Sequence, residues 1–110
     1  AFALKAYGGT VCKTPVLDSL IGEASLFENA YCNYPLCAPS RFSMLTGRMP
    51  SSVEAYDNGA EMSASIPTIA QYLSANGYYT SLSGKMHFVG PDQHHGYEER
   101  LTTEIYPSDF

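Results

Sequence analysis

Four residues in this chain are of a type and spacing that could do chemistry on an anion. Cys37 and Arg41 stand four apart in "CAPSR", and Lys85 and His87 stand two apart in "GKMHF". A cysteine has several ordinary fates: apolar filler, disulfide partner, metal ligand or reactive group. If "CAPSR" opens a helix, Cys37 lies at its positive end, where unpaired backbone N–H groups and the macrodipole favour a thiolate or a bound oxyanion. Pro39 gives up no hydrogen bond in a first turn. Arg41 can fold back over the same end, and its planar guanidinium can hold a charged oxygen in a fixed geometry. On extended backbone, Lys85 and His87 would point the same way. They offer a point charge and a group that passes protons near neutral pH. One reading is an oxyanion site with a reactive residue inside it. The other is a quiet core thiol, a solvated arginine and a solvated Gly-Lys turn.

The elements that must position these residues are short. "KTPVLDSLIGEA" predicts a helix with Thr14 as N-cap, Pro15 in its first turn and Leu17, Leu20 and Ile21 at helical spacing. "SLFENAYCN" offers weak strand evidence. A second helix is expected from near Ser40 through Phe42, Met44 and Leu45 to a Gly47 C-cap. Residues 48–65 read as a polar loop. "SIPTIAQYLSANG" predicts a helix with Ile66, Ile69, Ala70 and Leu73 on one face and Asn76-Gly77 closing it, and "YYTSLSG" reads as a buried strand. This alternation implies an α/β fold, a sheet with helices packed on it. Chemistry on such a sheet lies beyond the carboxyl ends of its strands, which would bring Cys37 and "GKMHF" to one rim.

Composition excludes several classes. The 110 residues are 45% hydrophobic, as in a globular chain, and a unit of this size buries a modest core. Net charge is −5 with no basic stripe, so nucleic acid is not an expected partner. No apolar run is long enough to cross a membrane, and "AFALKAYGGT" lacks the apolar stretch of a signal peptide. Cys12, Cys32 and Cys37 are an odd number without CxxC spacing, against a disulfide framework or structural zinc. Cys12 and Cys32 are expected to be core thiols. His94 and His95 read as loop or structural residues, and Asp57 and Asn58 as turn formers.

"CAPSR" continuing to "LTGR" resembles the signature of type I sulfatases, in the alkaline-phosphatase superfamily. "LSGKMHFVGPDQ", "HGYEERLTT", "YPSDF", "AYCNYPLCAPSRFS" and "AYDN" are similar, within that family, to bacterial choline-sulfatases. The resemblance implies the N-terminal portion of an alkaline-phosphatase-like α/β/α sandwich, within a longer catalytic domain. It implies that a separate formylglycine-generating enzyme oxidises Cys37 to formylglycine. The hydrated aldehyde would attack a sulfate monoester, such as choline sulfate, and then collapse to release sulfate. Arg41 would hold the diol, Lys85 a substrate oxygen, and His87 would orient the diol or move a proton. Cys37, as formylglycine, would ligate a divalent metal, calcium first, whose other ligands are expected outside this sequence. The isolated 110 residues are then expected to be inactive. The same resemblance suggests a cytoplasmic homo-oligomer acting on a small-molecule sulfate ester.

Two rival readings remain at this stage. A phosphonate monoester or phosphodiester hydrolase would use the same aldehyde, and a non-catalytic module would leave Cys37 unconverted. A cysteine phosphatase fits poorly, because it wants five residues between Cys and Arg where this chain has three.

Overall fold

The computed structural model describes residues 3–102 and Glu104, so the string "YPSDF" lies outside the described residues. The chain forms two compact units, residues 1–31 and residues 32–110.

In the first unit a 3-10 turn, Lys5–Tyr7, closes on Gly8 in the left-handed region. Helix α1 spans Pro15–Ile21, with Thr14 and Pro15 in the expected positions. The Thr14 hydroxyl does not cap a backbone N–H; it donates to Asp18 Oδ1 at 3.1 Å. None of α1 is buried, and the predicted stripe of Leu17 and Leu20 is exposed. The strand expected over "SLFENAYCN" does not form. Its alternation is too weak to define an inward face, which is what fixes a strand's register.

The second unit holds the core. Helix α2 spans Cys37–Thr46 and ends at Gly47 with φ 67°, as the C-cap signal predicts. It begins three residues before the expected Ser40, because Pro39 is tolerated in a first turn. Ala38, Phe42 and Leu45 form its buried face. Residues 48–65 are not simply a polar loop. A 3-10 turn, Pro50–Val53, buries both its terminal residues, and Ala55 and Met62 also enter the core. Each large apolar side chain buried here contributes about 1.5–3 kcal/mol.

Helix α3 spans Ile69–Ala75 and starts at a full capping box. Thr68 Oγ1 accepts from the Gln71 N–H, and Gln71 Oε1 accepts from the Thr68 N–H at 2.8 Å. That pairing satisfies two orphan donors of the first turn. Only Ala70 of the predicted apolar face is buried; Ile69 and Leu73 are exposed.

The strand read in "YYTSLSG" shrinks to β1, Ser81–Leu82, and Tyr78 and Tyr79 are exposed rather than buried. β1 pairs in parallel with β2, Glu99–Arg100, in the register Ser81↔Glu99 and Leu82↔Arg100. Helices with a small parallel sheet make this a mixed α/β segment, in line with the expected class. Beyond β1, Met86 and Phe88 turn into the core, where Phe88 stacks on Phe42 with centroids 6.4 Å apart. Burial of these two flanking residues pins the turn that carries Lys85 and His87.

Candidate active site

Cys37 is the first residue of α2 and is half-buried. Leu36, at the N-cap position, has no side chain able to satisfy the helix's first N–H groups. The cap comes instead from a distant loop: the Ala38 N–H donates to Asn58 Oδ1 at 3.0 Å. Arg41 sits one turn further along α2, and its Nη1 donates to the backbone carbonyl of Lys85. Cys37 and Arg41 line an open cleft of about 440 Å³ with Cys32, Tyr34, Leu36 and Met44.

Asn58 also meets the second constellation. Its backbone carbonyl lies 3.1 Å from His87 Nε2. A carbonyl can only accept, so this contact places a proton on Nε2. His87 is buried, at 3% exposure. Its φ is +62°, which places it in the left-handed region. A non-glycine residue held there costs about 1–2 kcal/mol, and such conformations concentrate at functional sites.

The structure therefore corrects how Lys85 and His87 are presented. They do not share one face of a strand, since His87 reverses the backbone handedness between them. Cys37 does not follow a strand either. The two constellations nevertheless meet, through Arg41 on the Lys85 carbonyl and Asn58 between Ala38 and His87. Among the described residues the Lys85 ammonium has no hydrogen bond or ion pair.

Asn58 is the site residue that sequence reasoning missed. Asp57 behaves as the expected turn former, accepting from the Gly59 N–H at 2.8 Å. Asn58 instead caps α2 through its side chain and holds His87 through its main chain. The signal available was the absence of a capping side chain at Leu36, which requires a donor's partner from elsewhere.

The other candidates separate cleanly. All three cysteines are free, but Cys12 and Cys32 are exposed rather than core thiols. Cys32 lies beside the cleft, its thiol pKa drawn down by the Ser40 hydroxyl and then by the Tyr34 backbone. His95 is structural, buried against Phe88 with ring centroids 4.4 Å apart. His94 is exposed and its Nδ1–H donates to the Tyr97 carbonyl at 2.9 Å. Among the described residues, no group of three or more His, Cys, Asp or Glu side chains could hold a metal ion.

The capped start of α2 and the left-handed turn at His87 thus lie together, joined through Asn58 and Arg41. The sulfatase family profile matches residues 1–108. The chain belongs to the sulfatase family. It is 58% identical to choline-sulfatase of Rhizobium meliloti (strain 1021) over 96 residues, covering 87% of this chain and 19% of that protein. It is 38% identical to mouse (Mus musculus) iduronate 2-sulfatase, covering 84% of this chain and 17% of that protein. With arylsulfatase A of Bos taurus it shares 37% identity, covering 89% of this chain and 22% of that protein. The chain thus spans about a fifth of the length of the curated relatives it matches.

Proposed function

We propose that this segment carries the nucleophile end of a sulfuric ester hydrolase, with Cys37 converted to formylglycine. The observation that carries the reading is the placing of Cys37 at the start of α2, one turn from an Arg41 that is tied to the Lys85 carbonyl. Position 37 suits the conversion: it is half-buried, lines an open cleft and makes no disulfide. Formylglycine supplies an aldehyde carbon that water turns into an oxygen nucleophile able to release its product without a second attack. Arg41 neutralises negative charge gathering at position 37. Lys85 directs its ammonium at a sulfate oxygen, and His87 orients the oxygen atoms at position 37 from its buried turn. The helix start contributes N–H groups of the same sign.

The name of the Rhizobium meliloti relative supports choline sulfate as the first substrate to test. The curated relatives cited here are all sulfatases, which favours a sulfate over a phosphonate ester. Their lengths support a larger enzyme around this segment, and the family match supports an alkaline-phosphatase-like sandwich for it. A calcium ion belongs to the same reading, but the described residues do not by themselves make a site for it. The conversion also calls for a formylglycine-generating enzyme as partner.

The test is peptide mass spectrometry across "YCNYPLCAPSR" in purified protein that hydrolyses sulfate esters. Loss of sulfur at Cys37 and recovery of the aldehyde by hydrazide capture are expected. An intact thiol in fully active protein would overturn the reading.

A further inference from the structure

The turn that presents Lys85 and His87 is held from below by a side-chain ladder that extends the two-stranded sheet. β1 and β2 pair with a constant offset of 18 residues, Ser81 with Glu99 and Leu82 with Arg100. The same offset continues where the strands end. The Gly84 N–H donates to Thr102 Oγ1 at 2.8 Å, and that hydroxyl donates back to the Gly84 carbonyl at 3.1 Å. Two residues on, the Met86 N–H donates to Glu104 Oε1 at 2.9 Å. Side-chain oxygens of Thr102 and Glu104 thus stand in for the backbone acceptors of a parallel ladder. The replacement lets the chain leave strand geometry at Gly84, φ +114°, and reach the left-handed turn at His87 without abandoning its donors.

Glu104 is an unusual acceptor for that purpose. Its side chain is 2% exposed and pairs with Arg100, itself 8% exposed. Arg100 is heavily engaged: it donates to Gln93, to the Thr102 carbonyl and to Glu104, and lies over the Phe88 ring. Desolvation pushes the Glu104 carboxyl up, but the N–H groups of Met86, His87 and Phe88, with Arg100, outweigh it and keep the group ionised. Glu104 Oε2 has no partner of full hydrogen-bond geometry among the described residues. The Met86 N–H on Glu104 Oε1 ties the carboxylate directly to the backbone just before His87. A buried ion pair gives up much of its Coulombic gain to desolvation, so its geometry matters more than its strength.

We propose that Glu104, clamped by Arg100, is a positioning residue that moulds the Lys85–His87 turn and sets His87 against Asn58. It touches neither the cleft nor Cys37 and acts through the backbone of residues 86–88. Its effect on turnover rests on the reading of His87 given above.

The test uses the complete protein and the variants Glu104→Ala, Glu104→Gln, His87→Ala and Glu104→Ala/His87→Ala. Hydrolysis of 4-nitrophenyl sulfate is followed well below each variant's unfolding temperature, and amide hydrogen exchange is followed at residues 84–89. Glu104→Ala is expected to lower kcat at least tenfold with KM changed less than threefold, and to speed exchange at 86–88 at least tenfold. The double variant should be no slower than His87→Ala alone, because a group acting through His87 has nothing left to position. Effects of the two substitutions that multiply, or wild-type kcat with Glu104→Ala, would overturn the proposal. Should Glu104→Ala not fold, the isosteric Glu104→Gln carries the same test. It keeps one acceptor but loses the ion pair, so a several-fold loss with the same non-additivity is expected, and wild-type kcat and exchange would refute it. If His87→Ala itself leaves turnover intact, the site reading has failed. Exchange at 86–88 then decides the clamp alone, faster exchange supporting it and unchanged exchange sinking it.

Discussion

Arg41 Nη1 donates to the backbone carbonyl of Lys85, joining the first turn and a half of α2 to a turn 44 residues later. One guanidinium edge is therefore structural, which leaves the remaining N–H groups to face the cleft it shares with Cys37. Lysine at this position has one compact charge and cannot serve both directions at once. Arg41→Lys in the complete protein is expected to lower kcat/KM about tenfold to a hundredfold, the loss of one or two charge-assisted hydrogen bonds. Steady-state hydrolysis of an aryl sulfate measures it.

Asn58 satisfies a donor that no neighbour in sequence can reach. Ala38 is fully buried, so removing the Asn58 amide strands the Ala38 N–H away from water. Such a loss costs about 1–3 kcal/mol. Asn58→Ala should therefore lower the Tm by several degrees and reduce turnover as α2 and His87 lose their common support. Asn58→Asp keeps an acceptor and should retain most of the stability, while its charge beside an oxyanion site depresses kcat. Thermal unfolding and activity measured on the same samples separate the two effects.

These contacts show what the chain disclosed on reading and what it withheld. The helix stops, and the start of α1, were legible because they are local. Pro15, the glycine after Thr46 and Asn76-Gly77 each act within one turn. The site motifs were legible because "CAPSR" and "GKMHF" are contiguous strings. The roles of Asn58 and Glu104 were not, since each works through a hydrogen bond to a residue 18 or more positions away. The short β2 failed for a related reason: "ER" has no alternation, and its pairing depends on where β1 lies. Burial was misjudged at Ile69, Leu73, Tyr78 and Tyr79, where apolar type was read as inward direction. Apolar residues also cover much of a protein's exterior, so type alone does not settle side.

Gly96 is required by both its conformation and its surroundings. Its φ is +95°, and a Cβ there would sit 2.3 Å from Gln71 Cγ and 2.8 Å from the Gln71 backbone nitrogen. The side chain could move, but the nitrogen belongs to the first turn of α3. The intruding carbon would also press on Thr68 Oγ1 at 3.1 Å, the other half of the capping box. Gly96→Ala should destabilise the fold by about 2 kcal/mol or more, combining left-handed strain with a damaged cap. Gly8→Ala, with φ +85° but open space around its Cβ, should cost less. Urea unfolding of both variants tests the ordering.

Acid should unfold this segment in two stages, the first set by His95. Burial holds the His95 pKa below the usual imidazole value, more strongly than Asp92 and Glu61 raise it. The unfolded chain then binds a proton that the folded chain resists, so this contribution is complete above about pH 6.5 and fades as pH falls toward the folded value. Asp92 and Glu104 form the second stage. Desolvation raises both, but hydrogen bonds from backbone N–H groups and nearby positive charge win, so both carboxyls titrate below their ordinary range. Their contribution is present above about pH 4–4.5 and is lost as pH falls through the lowered folded values. Substituting His95→Gln removes the imidazole titration but leaves the carboxylates. The variant should be less stable at pH 7, having lost the ring packed on Phe88, yet its stability should stay flat between about pH 6.5 and pH 5, where the parent declines. Urea midpoints measured at half-unit steps from pH 8 to pH 4 provide the check, and parallel curves for the two proteins would rule out His95 as the origin of the first stage.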